Sequence, residues 1–462
     1  MKPGMMGSGL HIAARRTVLL FGVLLGMLAV ASMVGTKTAY ASTFTVNSTG
    51  DKGDQDTNNL VCNSTPLQPG IDPECTLRAA IEQANDNDNE ATTVDTIKFS
   101  LGGDGVQTIS PNTGLPVVFE PVNIDGYTQP GASENTLAVG DNAVLLIRLD
   151  GKAAGFASGL NIAADDSTVR GLSVTRFSFS GGIGLSGADN CKIEGNFLGT
   201  SPRGTTAGLG NGFGLYLQNH FANPSDSPLA NTIGGASPEA RNVISGNSTG
   251  ITFFGGLENK VEGNYIGTTK SGIDDLGNSA RGMEVLAETR DVSIGGTGAA
   301  RNTIAFNGQD GVGIPSADST GSSIMSNSIF SNGGLGIDLG ASGRTANDPD
   351  DADTGSDNLQ NFPVLSSATT SSRSTTIKGT LNSTPDTIFT LRFYSNPSSI
   401  PDEGKKFLGL KSVHTDATSG EVSFTFRPGK KVAVGQRITA TAAELDSNTS
   451  EFSNPRRIVA QQ

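Results

Sequence analysis

Two adjacent carboxylate pairs, Asp165-Asp166 and Asp274-Asp275, are the residues of this chain best suited to acid–base chemistry. Glycoside hydrolysis needs two carboxyl groups about 5 to 9.5 Å apart, flanking one bond. Neighbours on a strand point to opposite faces, so an Asp-Asp pair does not meet that need alone. One member has to sit in a turn, or a second segment has to bring another carboxyl. Otherwise both pairs are polar turn residues, and the chain has no evident catalytic signature. His220 and His414 lack the Ser, Cys or Asp company of a catalytic triad.

A second set of acids, Asp348, Asp350, Asp351, Asp353 and Asp357, falls between Asn347 and Asn361. Carboxylates alternating with Asn and Gly supply the hard oxygen ligands that calcium takes. The spacing fails the EF-hand pattern, which wants Gly at the sixth position and Glu at the twelfth. A solvated acidic linker is the competing reading. Calcium is the one cofactor on offer, since no His or Cys cluster points to zinc or haem. The Gly-rich stretches Gly181 to Gly184 and Gly208 to Gly214 do not join a strand to a helix, so they are corners rather than nucleotide loops.

These residues must be positioned by something, and the chain names it by repetition. Asn231-Thr-Ile-Gly-Gly, Arg241-Asn-Val-Ile-Ser-Gly-Asn247 and Asn259-Lys-Val-Glu-Gly-Asn264 return as Val292-Ser-Ile-Gly-Gly296, Arg301-Asn-Thr-Ile-Ala-Phe-Asn307 and Ser323-Ile-Met-Ser-Asn327. An earlier copy is Lys192-Ile-Glu-Gly-Asn196. Repeats of this size mean a solenoid. Ile, Val, Leu and Phe alternate with Gly, Asn, Ser and Thr at period two, which means many short strands. The expected coil is a strand-turn-strand unit of about 20 to 24 residues, with three coils per long repeat and ten or eleven in all. At about 4.8 Å per coil the rod would be roughly 50 Å long. Asn196, Asn247, Asn264, Asn307 and Asn327 recur with the repeat and are expected to stack as amide ladders. Insertions at 220–229 and 271–278 should gather on one face, often the binding face.

Arg15-Arg16, an apolar run from Val18 to Val34 and Ala39-Tyr40-Ala41 are expected to form a signal peptide over residues 1–41, with an uncleaved membrane anchor as the alternative because the run is slightly long. Its removal takes away Lys2, Arg15, Arg16 and Lys37 and no acid, so the net charge moves from -13 to -17. A chain that acidic is not expected to seek nucleic acid or to insert in a membrane after cleavage. Cys62 and Cys75, close together in an exported chain, are expected to pair. Cys191 is left over, at a position that reads as an inward apolar residue.

Residues 42–104 combine a strand at Thr43 to Val46, a cysteine-bearing loop and Cys75-Thr-Leu-Arg-Ala-Ala-Ile-Glu-Gln-Ala-Asn85, with Leu77, Ala80, Ile81 and Ala84 on one helical face and Thr76 as N-cap. This unit resembles the CSLREA-motif domain of exported bacterial proteins. It departs at Thr76 for Ser and at Ala79 for Glu, and without the Glu there is no capping box. The repeats of 105–346 resemble the right-handed parallel β-helix of secreted pectate-lyase-like proteins. Some enzymes of that fold abstract a proton with a basic residue beside calcium. The resemblance offers Arg241 or Arg301 for that role, but both recur with the repeat, as structural residues do.

The acidic linker spans 347–363. Beyond it, strands at Thr375 to Leu381, Thr387 to Tyr394, Phe407 to Val413, Glu421 to Phe426 and Arg437 to Ala442 form an immunoglobulin- or fibronectin-like β-sandwich over 364–462. The fold class is therefore all-β: a small N-terminal capping unit, a parallel β-helix and a C-terminal sandwich. The leading functional expectation is a secreted or cell-surface rod that presents loops to a polysaccharide or another surface component. The alternative is a polysaccharide lyase or glycoside hydrolase. An enzyme should gather acids and a base across two or three adjacent coils, whereas a binding rod should display aromatics and amides. Tyr127, Tyr216 and Tyr265 suit either, while the low aromatic content and absence of Trp count against a dedicated sugar platform.

Overall fold

The computed structural model describes residues 41–87, 93–223, 225–400, 402–445 and 447–461. The expected signal peptide lies outside the described residues except for Ala41. Among the described residues no helix is long and apolar enough to cross a membrane.

Three all-parallel sheets make a β-helix. A single coil shows the plan. Lys192–Glu194 lies on face A, Phe197–Leu198 on face B and Phe213–Gln218 on face C, and the chain returns to face A at Thr232–Gly234. Among the described residues the faces hold nine, eight and seven strands, so face C sets seven complete coils rather than ten or eleven. Nine rungs on face A span about 38 Å at about 4.8 Å each. The difference lies in what a coil contains. Each has three strands joined by long corners, and the repeat from Thr232 to Ser293 holds two coils instead of three.

Inward side chains follow the pairing register. Ile193, Ile233, Val261, Ile294 and Ile324 stack along face A, each at most 2% exposed. Burying β-branched residues in parallel rungs excludes water from a core that is only a few side chains wide. The expected asparagine stacking occurs, but as two principal ladders. Asn196, Asn242, Asn264, Asn302 and Asn327 form one. Asn211, Asn247, Asn278, Asn307 and Asn332 form the other. In each, the side-chain amide donates to the next Oδ1, and the same Oδ1 accepts the backbone N–H of the preceding asparagine. Buried corner amides, which would otherwise cost free energy, are satisfied this way.

Both ends of the core are closed. At the N-terminal end, strands Thr43–Val46 and Asp95–Phe99 are the first two rungs of face A. Helix α1 (Leu77–Asp86) buries Leu77, Ala80, Ile81 and Ala84 in the same apolar cluster as the solenoid. Thr76 Oγ1 accepts the Ala79 N–H at 3.0 Å, so the N-cap forms without a capping box. Cys62 and Cys75 are disulfide-bonded, and Cys191 is free and buried.

At the C-terminal end, two largely antiparallel sheets form the β-sandwich, which includes a first strand, Val364–Thr370, that local alternation does not mark. Its Tyr394 and Phe452 plug the solenoid core. Each face of the last coil also meets a buried carboxylate. Asp357 Oδ1 accepts the Ser322 N–H beside face A at 2.9 Å. Glu403 Oε1 accepts the Asn332 side-chain amide beyond face B at 2.8 Å, and so ends the second ladder. Glu451 accepts the Leu339 and Thr345 N–H groups at 3.1 and 3.0 Å on face C. Three acids thus stand where the next coil's acceptors would be.

Candidate functional site

The outer surface of face C carries a straight row fixed by strand register: Asn161, Gly184, Tyr216, Thr252, Glu284, Gly313 and Asp338. Their strand neighbours, such as Leu215, Ile251, Met283, Val312 and Ile337, are buried inward, which sends this row outward. Toward the N-terminal coils the row is aromatic. Tyr216 lies flat over Gly181 and Gly184, where any Cβ would meet its ring at 2.4 and 2.3 Å. Its hydroxyl is 2.9 Å from Ser158 Oγ. Phe213 packs against Tyr216 and Phe254. Nearby, at the corner entering face C, Phe156 and Phe179 face each other at 4.7 Å, and they are 82% and 69% exposed. Gln218, Ser186 and Asn161 form a hydrogen-bonded polar strip beside the rings.

Toward the C-terminal coils the row is ionic. Arg281 pairs with Glu284, and its Nε donates to Asp310 Oδ2 at 2.9 Å. The guanidinium occupies the space over Gly313, where a Cβ would meet Nε at 2.6 Å. Asp338 is 3% exposed. Burial, and then the charge of Asp310, push its carboxyl above the usual range, against the Gly343 N–H and Arg281. Glu284 and Asp338 stand two rungs apart across Gly313, about 9.6 Å between backbones. None of Glu284, Asp310 and Asp338 was legible as a site, because only coil register aligns them.

Asp165 and Asp166 lie at another corner, between faces C and A. Asp166 has a positive φ of 55°, and the next coil adds Asp189. Both conditions for a carboxyl pair are therefore met there. Asp165, Asp166, Asp189, Asp226 and His220 line a cavity of about 380 Å³. Burial first, then Asp165, Asp226 and Asp166, push the Asp189 carboxyl up to about 6. However, Asp165 Oδ1 accepts the Asp189 N–H and Asp189 Oδ1 accepts the Leu229 N–H, so these acids also tie successive corners together. Asp274 and Asp275 are elsewhere, closing their own loop through Ser271 and Gly277.

Of the expected calcium ligands, Asp348, Asp351 and Asp353 converge, with one ligand atom each within 4.8 Å of the others. Asp350 is exposed and outside that group, its N–H given to Asn382. Asp357 is the buried acid at the last coil and not a member. The Oδ1 atoms of Asp348 and Asp353 are buried without a hydrogen-bond partner, and an all-oxygen donor set fits calcium. Burial raises Asp351 to about 6, with Asp353 and Asp348 adding to it against the Ser383 and Asn361 hydrogen bonds.

The two repeat arginines differ. Arg241 is buried and donates to the Leu137, Ala138, Gly140 and Gly263 carbonyls, a structural role. Arg301 is exposed and lies over the Phe407 ring. Neither Tyr127 nor Tyr265 is free: Tyr127 donates to the Gly195 carbonyl and Tyr265 accepts the Gly140 N–H.

No family model matches the chain, and no curated protein matches it. Among solved structures, full-length tailspike protein 2 from the Escherichia coli O157:H7 bacteriophage CAB120 is similar over 76% of this chain, at 13% identity and a TM-score of 0.24. The match spans 56% of that chain. The fold assignment stands on the three parallel sheets themselves.

Proposed function

We propose that this protein is an exported or surface-displayed rod that lays an extended glycan along the outer surface of face C. The observation that carries this reading is the exposed Phe156–Phe179 pair, whose sequence neighbours Ser158 and Ser180 reach toward the Tyr216 hydroxyl on face C. Clustered exposed rings mark a ligand surface, and their faces suit the C–H faces of sugars. The hydrogen-bonded amides alongside suit hydroxyls. Export rests on the N-terminal segment, and kinship of the N-terminal unit with CSLREA-type domains belongs to the same reading.

A glycoside hydrolase is the second reading, favoured by the register of Glu284 and Asp338. Carboxyls within about 9.5 Å of each other suit an inverting displacement, provided that the Arg281 guanidinium over Gly313 swings away to admit water between them. Burial raises the Asp338 carboxyl above its usual range, which suits it to the general acid and leaves Glu284 as the base.

Affinity electrophoresis of the mature chain in gels containing neutral and acidic polysaccharides, with reducing ends followed in parallel, tests both. Replacing Phe156 and Phe179 together by Ala should weaken retention at least about tenfold. New reducing ends that vanish in Glu284→Gln would replace binding with hydrolysis. Equal migration of wild type and the double variant in every gel would sink the glycan reading.

We also propose calcium as the ion of the Asp348, Asp351 and Asp353 group. Calcium at a hundredfold excess over its dissociation constant should stabilise the fold by about 2.7 kcal/mol. The effect should be stronger above pH 6, where Asp351 ionises. Melting curves in calcium and in chelator, with Asp348→Asn/Asp353→Asn as control, check this. Superimposable wild-type curves would refute it.

A further inference from the structure

A groove of about 590 Å³ lies on the outer surface of face B, where the last coils meet the sandwich. Over the earlier coils this face is covered, because the insertion before Ile147–Asp150 packs Ala143 and Leu145 on Phe197, Val243 and Tyr265. The cover stops at Val139, and the rungs at Thr303 and Ser328 are left as an open floor. Ile273 walls one side and Lys405 and Lys406 of the sandwich wall another.

The lining is chemically one-sided. In a chain with 45 acids and 32 basic residues, no Asp or Glu among the described residues lines this groove. Arg241, Arg301, Lys405 and Lys406 do. Arg241 is consumed by backbone carbonyls. Arg301, Lys405 and Lys406 form no ion pair with any carboxylate among the described residues. Rings hold two of them in place: Lys405 Nζ is 4.1 Å from the centre of Phe330 and the Arg301 guanidinium is 4.9 Å from that of Phe407. Cation–π contacts orient a charge without neutralising it. Phe306 meets Phe330 edge-on at 5.5 Å, which adds an apolar surface among the charges.

We infer that this groove binds a polyanionic glycan, with its acidic groups on Arg301, Lys405 and Lys406 and a sugar face on Phe306 and Phe330. Arginine offers a carboxylate or sulfate a two-pronged contact, and the lysines follow as point charges. A groove open along the floor admits a chain rather than a single small ion. The inference does not depend on face C: it uses different residues and requires an anionic ligand, which face C does not. The sandwich supplies two of the three cations, so the site exists only when the sandwich is docked on the last coil.

Isothermal titration of the full mature chain with polyuronate oligosaccharides, sulfated oligosaccharides, neutral dextran oligomers and a single-stranded oligonucleotide tests it. Binding to one or both acidic glycans, weakening with added salt and absent for dextran, is expected. Arg301→Gln and Lys405→Gln should each weaken it about tenfold, while Phe156→Ala/Phe179→Ala should leave it unchanged. Melting temperatures equal to wild type show that the Gln variants are folded, and a calcium-free repeat excludes bridging by the ion. Whichever acidic glycan binds more tightly tells carboxylate from sulfate. Failure of both acidic glycans, equal affinity in the Gln variants, or tighter binding of the oligonucleotide overturns the proposal.

Discussion

Asn264→Leu is expected to cost about 4 kcal/mol of stability, the largest effect of any single ladder substitution. Asn264 is fully buried, and its amide donates to the Ile233 and Glu262 carbonyls and to Asn302 Oδ1. Its Oδ1 accepts from the backbone N–H and the amide of Asn242. Leucine has similar volume but leaves those partners unsatisfied in a site closed to water, at about 1–3 kcal/mol for each orphaned group. Asn264→Asp keeps the shape and should be nearly as damaging, because an oxygen then faces two carbonyls and a second amide oxygen. Guanidinium unfolding followed by circular dichroism measures both. A loss under 1 kcal/mol for Asn264→Leu would show that the ladder is a consequence of stacking and not a support for it.

Asp357→Asn is expected to raise the melting temperature at pH 8 and above and to flatten its dependence on pH. Asp357 is fully buried at the joint with the last coil, and burial pushes its carboxyl up to about 8 against the Ser322 and Thr449 hydrogen bonds. Glu451, in the same joint, is pushed up to about 7 by burial against the Leu339 and Thr345 N–H groups. An unfolded Asp ionises near 3.9. Between that value and about 8, the folded chain holds a proton that the unfolded chain has released. Stability from Asp357 therefore falls as pH rises from about 4 to about 8 and is constant above; Glu451 adds the same trend up to about 7. Asparagine keeps an oxygen for the Ser322 N–H and carries no charge at any pH. A rise on the order of 5 °C at pH 8, shrinking toward pH 5, is the expected result in calorimetric scans. A variant that melts lower than wild type at pH 8 would mean that the ionised carboxylate is the form the joint requires.

The joint also shows why parts of the site escaped sequence reading. Glu403 and Glu451 stand in no repeat and no motif, yet they end two faces of the solenoid. Glu284 and Asp338 are separated by two coils with irregular corners. Their alignment follows from Met283↔Val312 and Val312↔Ile337 pairing, and corner length hides that pairing in the linear chain. The low aromatic content, read as an argument against a sugar platform, was a count without a location. Phe156 and Phe179 come from successive coils and meet at one corner, and Phe213 and Phe254 come from the next two coils and meet on face C. The two repeat arginines looked equivalent. An insertion more than a hundred residues upstream reaches Arg241 and leaves Arg301 open.

By itself the sequence determined the solenoid, because period-two apolar alternation and recurring Asn and Gly leave a parallel coil as the arrangement that buries the one and satisfies the other. It also determined the Thr76 cap, the Cys62–Cys75 bridge and the sandwich strands from Thr375 onward, all set by local spacing. Tertiary structure alone decided the number of coils, the split into two asparagine ladders and every outward-facing cluster. Inward residues answer to a repeating demand, exclusion of water from one narrow core, and so they repeat. Outward residues answer only to whichever residues the register and the inserted loops bring beside them, and no period records that.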